Sequence, residues 1–413
     1  MLYMIRLEWK KMRRTRFFKM LLLLLILGIA SYYTYIYLNT VRSHEVLDNL
    51  KSQLEGSEKR LSELEKKAQE NQNDHSDYNH ELEYYRTSVP LLEQEMQGLT
   101  TRNWVTWAKS NSLSRNFDEM ISSKQDWEST YPTRFTLETH QSILEWFAEG
   151  NIEPIWPSDF WMTKYDEVFD DGLEPIIRGN FEKRHASNGS YFSYHLFEHW
   201  FSLIGVVFFL FLFSDIVTKE GEGRNGPIHL LRTQPMKKDL ILVSKFCSVF
   251  LMTLCILLGV FVLTTLLGTV FDRFGDWDYP ILIYDKEYAY QLMPLGWFLL
   301  KSTGLFLLIL LFSYALLFFF SVLTNRAIIS IGITLTLLLL GINWAEQSVL
   351  SENAHFLPFH YLNVFPIVSN EYAVLHDNFE FSYQNGVLSL TSFSIILLFF
   401  TYVLSVYRYR TRG

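Results

Sequence analysis

Six stretches of the chain are apolar for long enough to cross a bilayer, and the polar segments between them differ greatly in length. The stretches fall at 18–42, 196–217, 246–271, 298–324, 327–345 and 388–407 and are rich in Leu, Ile, Phe and Val, without a proline. A helix rising about 1.5 Å per residue needs about 20 apolar residues to cross about 30 Å of hydrocarbon, so each stretch qualifies. The pattern predicts an all-α polytopic membrane protein with six transmembrane helices. At Asn325-Arg326 the alternative is one broken helix, but the apolar length of 298–345 far exceeds a single crossing.

The polar segments carry their own periodicities. In 1–17, Leu2, Ile5, Trp9 and Met12 recur at helical spacing with basic residues on the remaining face. A basic helix with a Trp anchor suits an anionic membrane surface; plain positive flanking of the first span is the alternative. After the first span, Leu47, Leu50, Leu54, Leu61, Leu64 and Ala68 step by three and four, as in a heptad. The rhythm breaks over 71–77 in turn-forming residues and resumes at Tyr78, Leu82, Tyr85, Val89, Leu92, Met96 and Leu99. An antiparallel, coiled-coil-like helical hairpin follows from this, with a coiled coil between two chains as the alternative. Ser88-Val89-Pro90 is expected to bend or restart the return arm.

Residues 100–195 hold Trp104, Trp107, Trp127, Trp146, Trp156 and Trp161 among short periodic pieces, with 136–149 reading as a helix. Together 43–195 read as an extracellular hairpin plus a mostly helical cap, its aromatics serving as core. The segments 272–297 and 346–387 read as outer loops, the latter with a strand-like 379–387 and an Asn385-Gly386 turn.

Charge sets the orientation. Arg6, Lys10, Lys11, Arg13, Arg14, Arg16 and Lys19 precede the first span, Lys219, Arg224, Arg232, Lys237, Lys238 and Lys245 lie in or at the end of 218–245, Arg326 in the short turn, and Arg408, Arg410 and Arg412 in the tail. With six spans all four segments share one side, so both termini are expected in the cytoplasm, with 408–413 as a short tail. The net charge of −8 in a chain of 413 residues reflects the acidic segment 41–196, placed outside. Both cysteines, Cys247 and Cys255, lie in the third span, so no disulfide staples the outer region. That suits the plasma membrane of a Gram-positive bacterium. The first apolar run is long and lacks a small-x-small cleavage site, so it reads as a retained anchor. Asn188-Gly189-Ser190 matches the glycosylation sequon, a frequent chance pattern.

The chemistry-bearing patterns are few. The chain has no G-x-x-x-x-G-K-[ST] loop, no G-x-S-x-G elbow, no paired-Cys zinc site and no EF-hand loop. One literal H-x-x-E-H occurs, with His195, Glu198 and His199 on one helical face. A zinc site needs a third ligand and a wet cleft, whereas this motif sits at the mouth of a span beside Trp200, where an interfacial belt is ordinary. Lys19, Asp215, Lys301 and Glu346 all lie near span ends, and none marks a proton relay at the bilayer midplane.

The segment 218–245 is the strongest signal. It reads Glu220, Glu222 and Gly223, then Leu230-Leu231, Thr233-Gln234-Pro235, Lys237-Lys238 and Lys245 before the third span. This order of acid, glycine, Leu-Leu, proline and basic residues resembles the cytoplasmic coupling loop of ABC-2-type transporter permeases. The stretch holding Glu8, Trp9, Lys10, Lys11 and Arg13 resembles the interface helix of the same family. The resemblance implies a membrane-spanning permease subunit driven by a separate cytoplasmic ABC ATPase, with Glu220 to Lys238 coupling ATP-driven closure to the spans. It implies a second copy or a homologous permease as partner, and membrane lipids around it. It also implies no cofactor in this chain, ATP and Mg on the ATPase, and export of peptides such as bacteriocins or of hydrophobic compounds in self-immunity. Asn225-Gly226-Pro227 departs from the family pattern, which leaves the start of the coupling helix open. The large first outer segment is an elaboration, suited to an extracellular peptide or lipoprotein. No nucleic-acid partner is expected, and the chain is not read as an enzyme. Two rival readings stand beside this one: a non-transporting membrane scaffold or sensor with an outer partner, and a zinc metalloprotease using His195, Glu198 and His199.

Overall fold

Long uncharged runs leave a backbone in lipid one economical choice, which is to satisfy every peptide group within its own helix. The computed structural model describes residues 2–70, 76–114, 117–123, 132–156, 163–169, 185–218, 238–324, 326–351 and 353–411. Among these, five helices are long and apolar enough to cross a membrane, or six if one bent pair counts as a span. The described residues are all-α apart from one small hairpin, and the chain divides into two compact units.

The membrane unit comprises Met1–Tyr33, Gly189–Phe274 and Trp297–Gly413. A basic helix α1 (Leu2–Arg14) leads into α2 (Arg16–Asn39), which continues past the unit boundary. Helices α9 (Gly189–Trp200) and α10 (Leu203–Thr218) meet at a bend of 77°. The third apolar run is α11 (Lys238–Phe271), followed later in the chain by α12 (Leu295–Thr324), α13 (Ala327–Ser348) and α16 (Tyr383–Thr411). Of the long spans α12 is the most enclosed: Leu305, Phe306, Ile309, Leu310, Tyr314, Ala315 and Leu317 are all fully buried. It is therefore the core helix, hydrophobic all round because it is covered all round.

Where one continuous span over 196–217 is expected, the structure has a broken helix. The apolar run gives no hint of the break, because its cause lies elsewhere in the chain. At the break the carbonyl of Phe201 accepts a hydrogen bond from the Val364 amide at 3.0 Å, and Ser202 Oγ donates to the His199 carbonyl at 2.7 Å. The next helix starts so close to the end of the last that a Cβ at Gly205 would collide with the Trp200 carbonyl. Phe201 itself stacks on Phe306 at 4.6 Å, so the bend is packed as well as bonded.

The segment after α13 holds no strand where 379–387 suggests one: 379–382 is a turn and 383–387 opens a helix. It runs through two short 3-10 turns (Ala354–Phe356 and Pro358–Leu362), α14 (Val364–Val368) and α15 (Glu371–Leu375). Asn385 and Gly386 fall inside the first turn of α16 rather than in a hairpin turn. Tyr361 lies against Gly386, where a Cβ would come within 2.7 Å of its ring.

The inserted unit comprises Thr34–Asn188 and Gly275–Gly296. Helices α3 (Ser43–Glu70) and α4 (Ser76–Thr101) pack on each other within one chain. Of the heptad positions, Leu50, Leu54, Leu64, Leu82, Val89 and Leu99 are buried, together with Ser88 and Glu95 outside the pattern. Pro90 does not restart α4, which is one helix through it; a proline removes a single i→i−4 bond, and buried Val89 and Leu99 flank it. Helix α5 (Trp104–Ser114) lies so near α4 that a Cβ at Gly98 would approach the Trp107 amide to 2.7 Å. Trp107 is fully buried edge-on to Trp156 at 5.3 Å, consistent with aromatics acting as core. Trp127 and Trp161 lie outside the described residues.

The remaining pieces are α6 (Phe117–Ser123), α7 (Arg134–Gly150), α8 (Lys164–Phe169) and an antiparallel hairpin, β1 (Pro280–Tyr284) with β2 (Tyr290–Pro294). The hairpin was not legible as anything but loop, since its strands are five residues each and its turn uses left-handed Glu287 and Tyr288. It exists because α7 supports it: Tyr290 Oη donates to the Glu138 carbonyl at 3.2 Å and pairs with Ser142 Oγ at 2.7 Å, and Phe135 stacks on Tyr284 at 5.7 Å.

Candidate functional site

Sequence reasoning singles out three groups of residues: one that leads into α11, one in α1 and one in α9. Of the first, Glu220, Glu222, Gly223, Leu230, Leu231, Thr233, Gln234, Pro235 and Lys237 lie outside the described residues. Lys238 is the first residue of α11. That helix begins two turns before the expected start at 246, so Lys245 sits inside the helix and is buried rather than standing at a loop end.

The residues of the interface helix are all described. Helix α1 packs on α11. Its buried line is Met4, Glu8 and Met12, at spacing i, i+4, i+8, with Ile5 and Trp9 half-buried beside it. The expected apolar stripe thus holds for Met12, but a carboxylate takes the centre of the buried face. Glu8 is 2% exposed and pairs with Lys11 Nζ at 3.1 Å. On the facing helix, Ser244 and Ser248 are fully buried and Lys245 nearly so. Serine side chains at i and i+4 present little bulk, which admits the close approach of α1. The Trp9 indole N–H then donates to the Ser248 carbonyl at 3.3 Å. That carbonyl is available beyond its own helix because carbonyl oxygens have two lone pairs. Glu8 is the residue sequence reasoning underrated: it was grouped with the polar members of a motif, and no periodicity marks it as buried. Lys10 and Arg13 point the other way and are exposed.

The H-x-x-E-H residues sit on α9. His195 Nδ1 and Glu198 Oε2 are 3.7 Å apart, and His195 is packed edge-on against Tyr191 at 4.8 Å. His199 turns instead to Tyr32, with ring centroids at 5.8 Å. Among the described residues no group of three His, Cys, Asp or Glu is placed to hold a metal ion. The arrangement is that of an aromatic belt with two imidazoles in it. Asn188 of the sequon is buried, and the amide of Gly189 donates to the Arg273 carbonyl at 2.9 Å, so the motif is part of a helix start.

Inside the membrane unit many of the buried polar atoms are hydroxyls, beside the charged Glu8 and Lys245. Thr253 Oγ1 meets Tyr314 Oη at 2.8 Å, and Ser193 Oγ meets Thr264 Oγ1 at 2.8 Å. These pairs join α11 to α12 and to α9, and they bind helices together without charge.

Comparison with known proteins adds one match. A family model described as ABC-2 family transporter protein spans residues 2–413. No curated protein and no solved structure matches the chain.

Proposed function

The chain belongs to the ABC-2 transporter family and is the permease subunit of an ABC transporter, a multi-pass membrane protein rather than an enzyme in its own right; from that premise we propose an exporter driven through residues 218–245 by a separate cytoplasmic ATPase. Members of the family generally work with such an ATPase in a lipid membrane. The cargo we propose is a peptide or a hydrophobic compound, with both termini in the cytoplasm and two permeases, identical or homologous, enclosing the path. The inserted unit then lies outside the cell, where a peptide or lipoprotein can meet it.

The observation that carries this reading is the continuity of α11. The coupling-like pattern is followed in the sequence by one helix of 34 residues, from Lys238 to Phe271. A push on 220–237 reaches the span through a rigid rod, and α1 is bonded to that rod through Trp9 and Ser248. Glu222→Gln combined with Pro235→Ala is expected to lower cargo transport at least tenfold while the protein still inserts and still retains its ATPase. The check is mild-detergent purification from native membranes with mass spectrometry, followed by ATPase and transport assays of the reconstituted complex. Transport that survives deletion of 222–236 would remove the coupling role. Recovery of outer-surface proteins alone, with no Walker-motif subunit, would favour a scaffold.

A further inference from the structure

We propose that α1 carries a headgroup site for an anionic phospholipid, built by Arg6, Trp9, Lys10, Arg13 and Arg14. These five residues line a concavity of about 360 Å³ on one side of the helix. Their spacing of three and four residues places them on a single face. The face is held outward by packing, because Met4, Glu8 and Met12 occupy the opposite side and are buried.

Charge argues for an anion. Among the described residues no carboxylate lies within ion-pair distance of Arg6, Lys10, Arg13 or Arg14, and the one acid of α1, Glu8, is turned inward to Lys11. Like charges three and four residues apart on a helix repel, so four cations lining one hollow disfavour the helix unless an anion bridges them. Guanidinium groups present paired donors that match phosphate oxygens, and an indole is at home at headgroup depth.

The neighbouring surface argues that the phosphate belongs to a lipid. Only Thr15 separates α1 from α2, and α2 exposes Phe17, Met20, Leu23, Leu24 and Leu27 just beyond it. A free phosphate has no use for such a stripe, whereas acyl chains do. The site draws on the permease reading only in placing α1 at a membrane surface.

The test uses the full chain in nanodiscs of phosphatidylcholine with and without phosphatidylglycerol, and reads retained lipid by native mass spectrometry. The wild-type protein is expected to keep phosphatidylglycerol over phosphatidylcholine, less so as salt rises. Substituting Arg6→Gln, Arg13→Gln and Arg14→Gln together is expected to weaken that retention about fivefold for each cation removed. Lys286→Gln, an exposed cation in the inserted unit, serves as control and leaves it unchanged. No preference for phosphatidylglycerol in the wild-type protein overturns the proposal without any variant. Equal retention by the triple variant also overturns it, as does displacement of the lipid by millimolar inorganic phosphate. Loss of a co-purifying ATPase with lipid retention intact would assign the cations to a protein surface instead. Lipid retention is read without transport, so changes at Glu222 and Pro235 leave it alone and the two proposals can fail separately.

Discussion

The inserted unit hides most of its large apolar side chains, with Leu38, Tyr84 and Leu113 among the exposed ones, whereas the membrane unit exposes long stripes that include Leu23, Leu24, Leu27, Leu258, Leu339, Leu340, Phe399 and Phe400. Each unit buries a carboxylate, Glu8 in the membrane unit and Asp166 in the inserted unit, but the two differ in where their buried hydroxyls bond. In the membrane unit hydroxyls mostly donate back to their own helix, as Ser248 does to Ser244, Thr253 to Val249, Ser313 to Ile309 and Thr334 to Ser330. The inserted unit instead builds a network around one fully buried carboxylate. Asp166 Oδ1 accepts from the Thr133 amide at 3.0 Å, and Oδ2 accepts from the Thr163 amide at 2.7 Å and from the Thr136 hydroxyl. Thr133 caps α7, and just before α8 the Thr163 amide and hydroxyl both donate to Asp166 three residues on. The difference teaches what each unit has for solvent. Where lipid surrounds a helix, an intrahelical bond is the safe destination for a hydroxyl. Where water surrounds the unit, a buried charge is tolerated if its lone pairs are filled by helix-end amides that need a partner themselves.

The sharpest test of this contrast uses two leucines of equal exposure. Leu258 in the middle of α11 is 64% exposed and Leu113 in α5 is 65% exposed. Leu258→Arg is expected to oppose insertion by about 3 kcal/mol, while Leu113→Arg stays within about 0.5 kcal/mol of wild type. The membrane-inserted fraction of the full chain reads both, and equal losses would show that the two units share one solvent.

Next in size is Asp166→Ala, which orphans the amides of Thr133 and Thr163 at a cost of about 2 kcal/mol. Hydrogen exchange of the full chain should accelerate over 133–156 and 163–169 and leave α12 unchanged. Acceleration spread evenly over both units would mean that the network is not local to the inserted unit.

A smaller effect belongs to the segment between α13 and α16 in the membrane unit. Burial, with His376 nearby, lowers the His360 imidazole from its ordinary value to about 4, and its Nδ1 lies 2.9 Å from Tyr372 Oη. Burial also pushes the Tyr372 hydroxyl up to about 12, aided by Glu346. The folded segment therefore resists protonation that the unfolded one accepts. Its stability is full above about pH 6.5 and declines as the pH falls toward 4. Limited proteolysis within 353–382 should speed up at pH 5 relative to pH 7.5, and His360→Gln should flatten that dependence. A rate indifferent to pH in the wild-type protein would count against a neutral buried imidazole.

The smallest effect is expected at the surface of the α3–α4 hairpin, where Arg60 meets Glu81 at 2.9 Å in open solvent. Arg60→Ala should leave the melting temperature of the full chain unchanged within error, since such pairs are screened and entropically costly. A clear drop would mean that the hairpin is covered in the working protein.

Much of the architecture was legible from the sequence because two signals are local. Runs of Leu and Phe announce membrane helices by length alone, and the three-four stepping of Leu50, Leu54 and Leu64 announces a packed helix by period alone. Helix α7 was legible for the same reason. The candidate site was legible only in part. The coupling pattern lies outside the described residues, and in the interface helix the burial of Glu8 was not legible, because a buried glutamate carries no periodic mark.

What the sequence determined by itself is therefore the solvent of each segment and the period of each helix: the uninterrupted apolar runs, the heptads and the basic face of α1. What tertiary structure decided is where helices stop and turn. The break after Trp200 depends on an amide of Val364 in another segment, and the β1–β2 hairpin depends on Ser142 and Glu138 of α7. Hydrophobicity and period are sums over neighbours in the chain, whereas a broken span or a supported hairpin is made by partners that only folding brings near.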